Sequence, residues 1–478
     1  MADVFVGGRA VPTGGGEPIE VRNPANGRIV DAVPDGGADL VDRAVAAAGA
    51  AFAAWRRVPG ARRGDLLYEA ANAVEAQIPE LAPLLTAEHG KPLHESTMEL
   101  ARFVKSLKHY AGLGRNLPGR SVADLDEEST GIVLTRPLGV VGILVRWNYP
   151  VTLLGKKLGP ALVTGNTVVA KPDESTPLTT LRIAQLMHAA GLPDGVFNVV
   201  TGFGESTGAA LVDHPDVAKI AFTGSNPNGE RVMAAAAGRL ARVTAELGGS
   251  DPLIVDADAD IAAAVSAASW GRFFNCGQAC LAVKRVYAHE SVYDEVVARL
   301  VEKTRKLVVG PGDRPGVTVG PMHGERVRAR LLDQLAGTLA GGARVVAGGE
   351  VPTGEPFDAG WFMQPTIVVD AGHDAPVATE DTFGPVLPVW PVADLDEAIA
   401  LANASRYGIA SSVWTRDLNA ALHAARSLHS GYVWVNSRTR VYDELPFGGV
   451  KQSGYGKDHG PEALDFYQDV TSVVLSPG

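Results

Sequence analysis

The amino-acid sequence predicts an α/β fold in which parallel strands are joined by crossover helices. In the middle of the chain, short apolar runs typical of buried strands occur at residues 140–145, 167–170, 197–200 and 219–222. Helical patterns accompany them up to residue 162 and over residues 178–190 and 229–240. Strands that alternate with helices in this way are typical of a parallel sheet. The 478 residues, 46% of them apolar, suffice for about three domains with buried cores.

The N-terminal region is predicted to contain strands and loops first and helices second. Short apolar runs separated by Gly and Pro fill residues 3–33, and apolar positions then recur at helical spacing over residues 38–57. Two or three further helices are predicted between residues 62 and 112. An acidic stretch then leads into a β-type run at residues 131–135, before a turn at Pro137.

The C-terminal half is predicted to hold a second α/β region, from about residue 252 to residue 435, and a last β-type segment at residues 470–475. We find no tandem repeat and no low-complexity linker. We therefore expect the domains to pack tightly and to exchange segments.

Composition and charge limit the classes of partner. With 43 Lys and Arg against 54 Asp and Glu, the net charge is −11, which argues against nucleic acid or an anionic membrane as the main partner. No apolar run is long enough to span a bilayer, and the first residues do not resemble a signal peptide. Two cysteines cannot form a disulfide framework, so we expect a cytoplasmic protein in a reducing compartment.

Cys280 is the first candidate for chemistry. A lone cysteine is commonly a small buried hydrophobe, but this one ends the polar, glycine-containing segment FFNCGQAC, which favours an exposed turn. There it can act as a nucleophile, provided that a helix N-terminus or a nearby cation lowers the thiol pKa. Cys276 precedes it by four residues and shares its face if the segment is helical. Two thiols without a nearby histidine cluster do not make a metal site, so no metal is expected.

Asn148 and Glu246 are two further candidates, each at the end of an apolar run. Asn148 precedes Tyr149 and Pro150, so it is either a simple turn residue or an amide that donates to an oxyanion. Glu246 precedes two glycines, so it is either a solvated turn residue or a base held in a cleft. Partial burial would raise its pKa towards neutrality and suit it to deprotonate water.

Two segments that follow predicted strands could bind a dinucleotide. Lys171 to Glu174 follow the second strand of the sheet, where an acidic residue can hold ribose hydroxyls. Phe222 to Ser225, together with Gly229, open a helix whose N-terminal N–H groups could hold a diphosphate. Neither segment matches the G-x-G-x-x-G fingerprint, and Gly204 with Gly202 lacks its third glycine.

Seven segments in the same order resemble the aldehyde dehydrogenase superfamily, over essentially the whole chain. They read WNYP at 147–150, KPDE at 171–174, FTGS at 222–225, ELGG at 246–249, FFNCGQAC at 273–280, EDTFGPV at 380–386 and PFGGVKQSG at 446–454. The resemblance implies a Rossmann-type cofactor domain at residues 1–118 and 138–248 and an α/β catalytic domain at residues 249–452. It also implies a small β oligomerisation flap at residues 119–137 and 453–478, within a homodimer or homotetramer.

The resemblance also implies a reaction, the oxidation of an aldehyde to a carboxylic acid. The Cys280 thiolate would attack the aldehyde carbon, and the Asn148 amide and the Cys280 backbone N–H would hold the oxyanion. After hydride passes to the nicotinamide, a thioester would remain on the cysteine. Glu246 would activate the water that hydrolyses it, and Lys157 matches a family lysine thought to assist proton transfer.

By the same matching, Lys171 and Glu174 would contact the adenosine ribose, Ser225 the diphosphate and Phe383 the nicotinamide end. The other matched cofactor residues are Trp147, Gly204, Phe222, Thr223, Gly224, Leu247, Gly248 and Asp381. An acidic Glu174 should repel a 2′-phosphate, so NAD is expected rather than NADP.

Four residues depart from the family pattern. Asp381 stands where the family usually has Glu, Arg146 replaces a common Pro, Cys276 a common Gln and Ser250 a common Lys. None of these is Cys280, Glu246 or Asn148, so the departures bear on cofactor affinity and specificity more than on chemistry.

The aldehyde tunnel implied by the resemblance is lined by mostly apolar residues with some basic ones. Its members are Tyr149, Leu153, Lys156, Ala279, Leu281, Arg438, Val441 and Phe447. Lys156, Arg438 and Arg440 are either solvated or paired surface groups, or cations at the mouth that attract an aldehyde bearing a carboxylate. These charges argue against a trimethylammonium aldehyde, and unspecialised aliphatic or aromatic aldehydes are the default expectation.

Two alternative functions remain open from the sequence. A CoA-acylating semialdehyde dehydrogenase would transfer the acyl group to CoA, and Glu246 as a water-activating base argues against it. The second alternative is a structural or binding protein that has this fold but no catalytic activity, since a fold does not guarantee an activity. The joint presence of Cys280, Glu246 and Asn148 argues against this second alternative.

Overall fold

Two sheets with parallel centres organise the chain, of which the computed structural model describes residues 1–12, 18–117 and 119–476. Over these residues the strands are β1 (Val4–Val6), β2 (Arg9–Val11), β3 (Ile19–Arg22), β4 (Ile29–Val33), β5 (Arg120–Val122), β6 (Thr130–Pro137), β7 (Val140–Leu144), β8 (Thr167–Lys171), β9 (Phe197–Val199), β10 (Val217–Thr223), β11 (Arg242–Glu246), β12 (Asp251–Val255), β13 (Val283–His289), β14 (Arg344–Ala347), β15 (Thr366–Val369), β16 (Val386–Val392), β17 (Ala410–Trp414), β18 (Tyr432–Val435), β19 (Gly454–Tyr455) and β20 (Gln468–Leu475).

Helices cover the faces of these sheets. Over the described residues they are α1 (Gly37–Trp55), α2 (Gly60–Ala76), α3 (Ile78–His89), α4 (Leu93–Leu113), α5 (Pro150–Val163), α6 (Leu178–Ala189), α7 (Ala209–Asp213), α8 (Asn226–Ala237), α9 (Ile261–Phe273), α10 (Glu290–Arg305), α11 (Glu325–Ala340), α12 (Pro376–Thr379), α13 (Leu395–Asn403) and α14 (Leu418–Ser427). None of these helices is both long and apolar enough to cross a membrane.

The first sheet places the ends of five parallel strands side by side. Its order over the described residues is β19-β11-β10-β7-β8-β9-β1-β2, and β11, β10, β7, β8 and β9 run parallel. Leu144 lies opposite both Lys171 and Phe222, and Thr223 lies opposite Glu246. The carboxyl ends of these strands therefore share one edge, which is where α/β sheets bind their ligands.

The second sheet positions the Cys280 segment. Its order over the described residues is β14-β15-β16-β13-β12-β17-β18, and its strands run parallel except for β14. Strand β13 is central, and Cys280 lies in the turn just before it. A separate antiparallel sheet, β20-β6-β5, joins residues 120–137 to the C-terminal strand.

The α/β fold class predicted from the sequence is confirmed, and the central strands and helices differ from their predicted bounds by a few residues. Three helices, α2 to α4, fill the region predicted to hold two or three. Helix α8 begins at Asn226, three residues earlier than predicted, because Ser225 takes an extended N-cap conformation and Pro227 fits the first turn. It ends at Ala237, and Leu240 beyond it is left-handed, with φ of 57°.

The predicted domain boundaries remain predictions. Strand β19, which the sequence assigns to the flap, pairs with β11 in the first sheet. Residue 118 and residues 477–478, which belong to predicted segment ends, lie outside the described residues.

Candidate active site

A cleft of about 720 Å³ opens at the carboxyl edge of the first sheet. Ten of the predicted cofactor residues line it: Trp147, Lys171, Glu174, Gly204, Phe222, Thr223, Gly224, Ser225, Asp381 and Phe383. Leu247 and Gly248 do not. Leu247 is buried beneath helix α8, where a Cβ at Gly229 would collide with it, and the Gly248 N–H donates to the Asn226 side chain at 3.0 Å.

Three features of this cleft fit a dinucleotide. The Ser225 side chain forms no capping hydrogen bond, so the first-turn N–H groups of α8 are left to bind an anion. The Thr223 hydroxyl is buried without a hydrogen-bond partner. A Cβ built on Gly204 would meet nothing within 4 Å, so space is open there. The resemblance and these donors together imply that a dinucleotide binds in this cleft.

Aromatic side chains form one wall of the cleft. The Trp147 and His323 rings stack with centroids 4.4 Å apart and planes 9° apart, and Phe383 meets Trp147 edge-on at 6.0 Å. The Arg146 guanidinium lies 4.0 Å from the Phe383 ring centroid. His323 was missed by sequence reasoning because it lies in a loop that carries none of the seven matched segments.

The two acidic residues predicted to bind the cofactor are both paired with lysines. Lys171 donates to Glu174 at 3.0 Å. Asp381 is ion-paired with Lys284, which also donates to the Gly249 carbonyl at 2.6 Å and the Cys280 carbonyl at 3.3 Å. Lys284 therefore links the cleft residue Asp381 to the backbone that carries the thiol.

The segment that carries Cys280 is a turn and not the helix considered in the sequence analysis. Residues 274–277 form a single 3-10 turn in which Asn275 and Cys276 both have φ of 54°, in the left-handed region. Cys276 consequently packs into the core of the second sheet, where burial raises its thiol pKa, and Cys280 is only half-buried. The two thiols therefore have different surroundings.

Asn148 is tied to the same turn by reciprocal hydrogen bonds. Its side-chain Nδ2 donates to the Gln278 carbonyl at 3.1 Å, and its backbone carbonyl accepts from Asn275 Nδ2 at 2.8 Å and from Lys91 Nζ at 3.0 Å. The Asn148 Oδ1 atom is buried with no hydrogen-bond partner. The Asn148 amide is thus held at the carbonyl of Gln278, two residues before Cys280 in the chain. Its NH2 group has a second N–H, which is left to donate to a ligand.

Burial raises the pKa of the Cys280 thiol, whereas the sequence analysis required a lowered one. Desolvation is the largest cause, and the charges of Glu246 and Asp251 add to it. The expected helix N-terminus is not at this turn, but Lys156 and Lys284 act in the expected direction and lower the pKa. The thiol therefore needs a base to take its proton.

Glu246 is a buried carboxylate whose charge acts on the Cys280 thiol. The carboxylate ends strand β11, is 3% exposed, and packs against Gly448, where a built Cβ would lie 2.9 Å from Oε1. Burial raises the pKa of Glu246 to about 7, against the lowering effect of Lys156. Its Oε2 atom is buried without a partner. Three residues after Glu246, a Cβ built on Gly249 would lie 2.9 Å from the Cys280 carbonyl oxygen. The backbone that follows Glu246 is therefore in close contact with the backbone of the Cys280 turn.

Lys157 and Lys156 share one buried carboxylate. Lys157 Nζ lies 2.8 Å and Lys156 Nζ 3.0 Å from Asp458 Oδ2. The two ammonium groups hold the pKa of Asp458 well below its usual range. The Lys156 side chain is 3% exposed and its charge is paired inside the protein, so it is not a solvated surface group; its place in the tunnel stays a prediction. Asp458 itself was missed because it lies just beyond the last matched segment.

The predicted tunnel residues divide between two clusters. Leu281 and Val441 pack with Cys280 against a cluster that contains Phe447. Tyr149 and Leu153 belong to the core of the first sheet, and Ala279 is buried in the turn. Arg438 and Arg440 are exposed and lie 5.4 Å and 4.8 Å from the ring centroids of Trp270 and Tyr442.

Within the described ranges, no three or more His, Cys, Asp or Glu side chains gather in a way that could hold a metal ion.

Comparison with known proteins identifies the family. The model of the aldehyde dehydrogenase family matches residues 11–473. Phenylacetaldehyde dehydrogenase of Pseudomonas fluorescens is 41% identical over 99% of this chain and 95% of its own length.

Two solved structures superpose closely. The NAD+ complex of an aldehyde dehydrogenase from Bacillus cereus has a TM-score of 0.97 at 36% identity, covering 99% of this chain and 96% of that one. An E. coli protein described as an NADP dependent enzyme has a TM-score of 0.97 at 36% identity, covering 100% and 98%. The chain therefore belongs to the aldehyde dehydrogenase family, whose members are NAD(P)-dependent oxidoreductases that act on aldehydes.

Proposed function

We propose that this protein oxidises an aldehyde to a carboxylic acid with NAD, and that Cys280 is the nucleophile. The observation that carries the proposal is the convergence of a half-buried thiol, the Asn148 amide and the buried Glu246 carboxylate beside the dinucleotide cleft. A nucleophile, an oxyanion donor and a base are the groups that acyl-thioester chemistry requires.

The first step forms a carbon–sulfur bond. Glu246, with a pKa of about 7, takes the proton of the Cys280 thiol, and the resulting thiolate attacks the aldehyde carbon. The carbonyl oxygen becomes an oxyanion, which accepts from the Asn148 Nδ2 and from the Cys280 backbone N–H. Lys156 and Lys284 favour the negative charge that develops here.

The second half of the reaction releases the acid. NAD, when bound, would supply the hydride acceptor, and loss of hydride from the former aldehyde carbon would leave a thioester on Cys280. Glu246 first releases to solvent the proton that it took from the thiol. As a carboxylate again, it removes a proton from water, whose oxygen attacks the thioester carbonyl. The carbon–sulfur bond breaks, and the carboxylate and the thiolate are the products. Lys157, paired with Asp458, supports proton transfer near Glu246.

The charge at the adenosine end supports NAD over NADP. Glu174 lines the cleft, and its carboxylate would repel a 2′-phosphate. Lys171 offsets part of that charge at 3.0 Å. We expect kcat/KM with NAD to exceed that with NADP, and Glu174→Gln to reduce the ratio.

The surroundings of Cys280 support an uncharged aliphatic or aromatic aldehyde. Leu281, Val441 and Phe447 are apolar, and the charge of Lys156 is already paired with Asp458. The name of the Pseudomonas fluorescens relative points the same way. Aldehydes that bear a carboxylate become less favoured, because no buried cation is left for them at this cluster.

A homodimer or homotetramer and a cytoplasmic location are part of the proposal. The three-stranded sheet exposes Leu134, Val470 and Val474, which are 41%, 66% and 63% exposed, and such apolar strands favour pairing with a second copy. Both cysteines are free, which fits a reducing compartment.

The test is a turnover assay with product analysis. Hexanal, benzaldehyde, 4-aminobutyraldehyde, succinic semialdehyde and betaine aldehyde are compared by the appearance of reduced nicotinamide. We expect the best turnover with hexanal or benzaldehyde, and the acid as product with or without CoA. A product that changes to acyl-CoA when CoA is added supports the acylating alternative. No reduction with any aldehyde supports the catalytically silent one.

A further inference from the structure

Arg146 is a charged side chain of the cofactor cleft to which the proposed reaction assigns no role. It is half-buried, and its guanidinium carbon lies 4.0 Å from the ring centroid of Phe383 and 5.4 Å from that of Trp147. Over residues 1–12, 18–117 and 119–476, no carboxylate lies within ion-pair distance of it, and its side chain makes no hydrogen bond. The donors of the guanidinium are therefore left for a ligand.

The neighbouring cations of the cleft differ from Arg146 in this respect. Lys171 is paired with Glu174, Arg330 with Glu380 at 3.4 Å, and Arg406 donates to the Tyr407 hydroxyl at 2.7 Å. Arg326 is exposed on helix α11. Arg146 thus combines partial burial with an unpaired charge, a state that is costly unless a ligand supplies the opposite charge.

Arg146 and the predicted diphosphate site follow neighbouring strands of the first sheet and line the same cleft. Strands β7 and β10 are parallel neighbours, with Leu144 opposite Phe222. Arg146 lies two residues beyond the end of β7, and Gly224 lies one residue beyond the end of β10, just before the N-cap Ser225 of helix α8. The uncapped N–H groups of that helix and the unpartnered Thr223 hydroxyl line the same cleft. All of these groups favour an anion.

We propose that Arg146 binds the diphosphate of the dinucleotide, together with the N-terminus of helix α8. A guanidinium presents a planar fork of donors that matches phosphate oxygens, and stacking on Phe383 and Trp147 holds that fork in place. The side chain occurs where the family pattern has a proline, which offers no donor. This inference rests on the proposed use of a dinucleotide.

Affinity measurements on three ligands test the proposal without relying on turnover. NAD+, ADP-ribose and adenosine are titrated calorimetrically into the wild type, Arg146→Gln and Arg146→Lys. We expect Arg146→Gln to raise the Kd of both NAD+ and ADP-ribose roughly tenfold or more, since a charge-assisted bond to phosphate is lost. Adenosine, which has no phosphate, should bind as before. Arg146→Lys keeps the charge but loses the planar fork of donors. Its Kd values for NAD+ and ADP-ribose should therefore lie between those of the wild type and Arg146→Gln.

A charge-matched control is Arg299→Gln, on the exposed face of helix α10, where Arg299 pairs with Glu295. It should leave all three affinities unchanged. If Arg146→Gln does not fold, the Kd values of Arg146→Lys for the same three ligands decide. A raised Kd for NAD+ and ADP-ribose with an unchanged Kd for adenosine supports the inference.

Any other pattern of affinities overturns the inference. Weakened NAD+ binding with unchanged ADP-ribose binding would place Arg146 at the nicotinamide. Equal loss for adenosine would mean that the substitution distorts the cleft. Unchanged affinities for all ligands would refute the inference but leave the proposed function standing, whereas a wild type that binds neither NAD+ nor ADP-ribose would refute the proposed function itself.

Discussion

The two sides of the Cys280 turn contain similar residue types but differ in how their polar atoms are used. On the side behind the turn, Lys91 is paired with Glu99 and donates to the Asn148 carbonyl, and Glu95 accepts from the Asn275 N–H at 3.0 Å. On the cleft side, the Glu246 carboxylate has no ion-pair partner among the described residues, and its Oε2 atom is buried without a hydrogen bond. Satisfied polar groups fix a structure, whereas buried groups without partners mark where a ligand or water binds.

The two cysteines show the same contrast. Cys276 faces the core behind the turn, and Cys280 faces the apolar cluster on the cleft side. The left-handed backbone of Asn275 and Cys276 directs them apart. Residue type alone therefore does not identify the nucleophile in this chain, and the surroundings do.

The largest effect is expected from Cys280→Ser. The hydroxyl is a much poorer nucleophile than a thiolate, so kcat should fall by about a thousandfold or more. Steady-state turnover with hexanal and NAD checks this.

Cys276→Ala is the matched control for that substitution. It should leave kcat near the wild-type value and lower the free energy of unfolding by about 1 kcal/mol, because only a small buried side chain is truncated. Loss of turnover in this variant, with turnover retained in Cys280→Ser, would reverse the assignment of the two thiols.

Asn148→Ala should have the second largest effect. Loss of one oxyanion donor typically costs about a hundred- to a thousandfold in kcat. KM should change much less, because the donor acts on charge that develops in the reaction. An effect confined to KM would mean that Asn148 only binds the substrate.

Substitutions behind the turn should affect stability. Glu99 pairs with Lys91 and accepts from the Val151 and Thr152 N–H groups at the start of α5, at 2.9 and 3.1 Å. Glu99→Gln leaves a buried ammonium unpaired, and we expect a loss of about 3 kcal/mol or more in urea unfolding.

The exposed pair of Glu75 and Lys108 is the control for Glu99→Gln. Glu75→Gln should cost less than about 1 kcal/mol, since surface ion pairs contribute little. Equal losses at the two sites would contradict the structural role given to Glu99.

The smallest graded effect is the dependence of turnover on pH. Burial raises the pKa of Glu246 to about 7, and only its ionised form can accept a proton. When hydrolysis limits the rate, kcat should therefore rise with pH up to about 7 and level off above it. A kcat that is flat between about pH 5.5 and 8 under that condition would exclude Glu246 as the base.

Much of the fold and part of the site could be predicted from the sequence. Strands such as β7 and β8 carry continuous apolar runs, and nine of the ten predicted cofactor residues that line the cleft belong to the seven matched segments. Contacts between distant segments could not be predicted in this way. Asp458 meets Lys156 and Lys157 across some 300 residues of chain, and no local pattern places it there.

The same limit explains the errors. From the sequence, Lys156 could be a surface group or a cation at the tunnel mouth, and only its pairing with the distant Asp458 accounts for its burial. Whether the Cys280 segment is a helix or a turn depended on two left-handed residues, and neither Asn275 nor Cys276 is a glycine that would have signalled them.

Intact-protein mass spectrometry of Glu246→Gln tests the central claim most directly. The variant is incubated with NAD and hexanal at about pH 9, where hydroxide can take the thiol proton that Glu246 no longer takes, and is then quenched in acid. It should accumulate a hexanoyl group that peptide mapping assigns to Cys280, because the base that activates water is missing. The double variant Glu246→Gln, Cys280→Ser should carry no such group. Continued formation of the acid by Glu246→Gln at the wild-type rate with no acyl group on Cys280 would contradict the account.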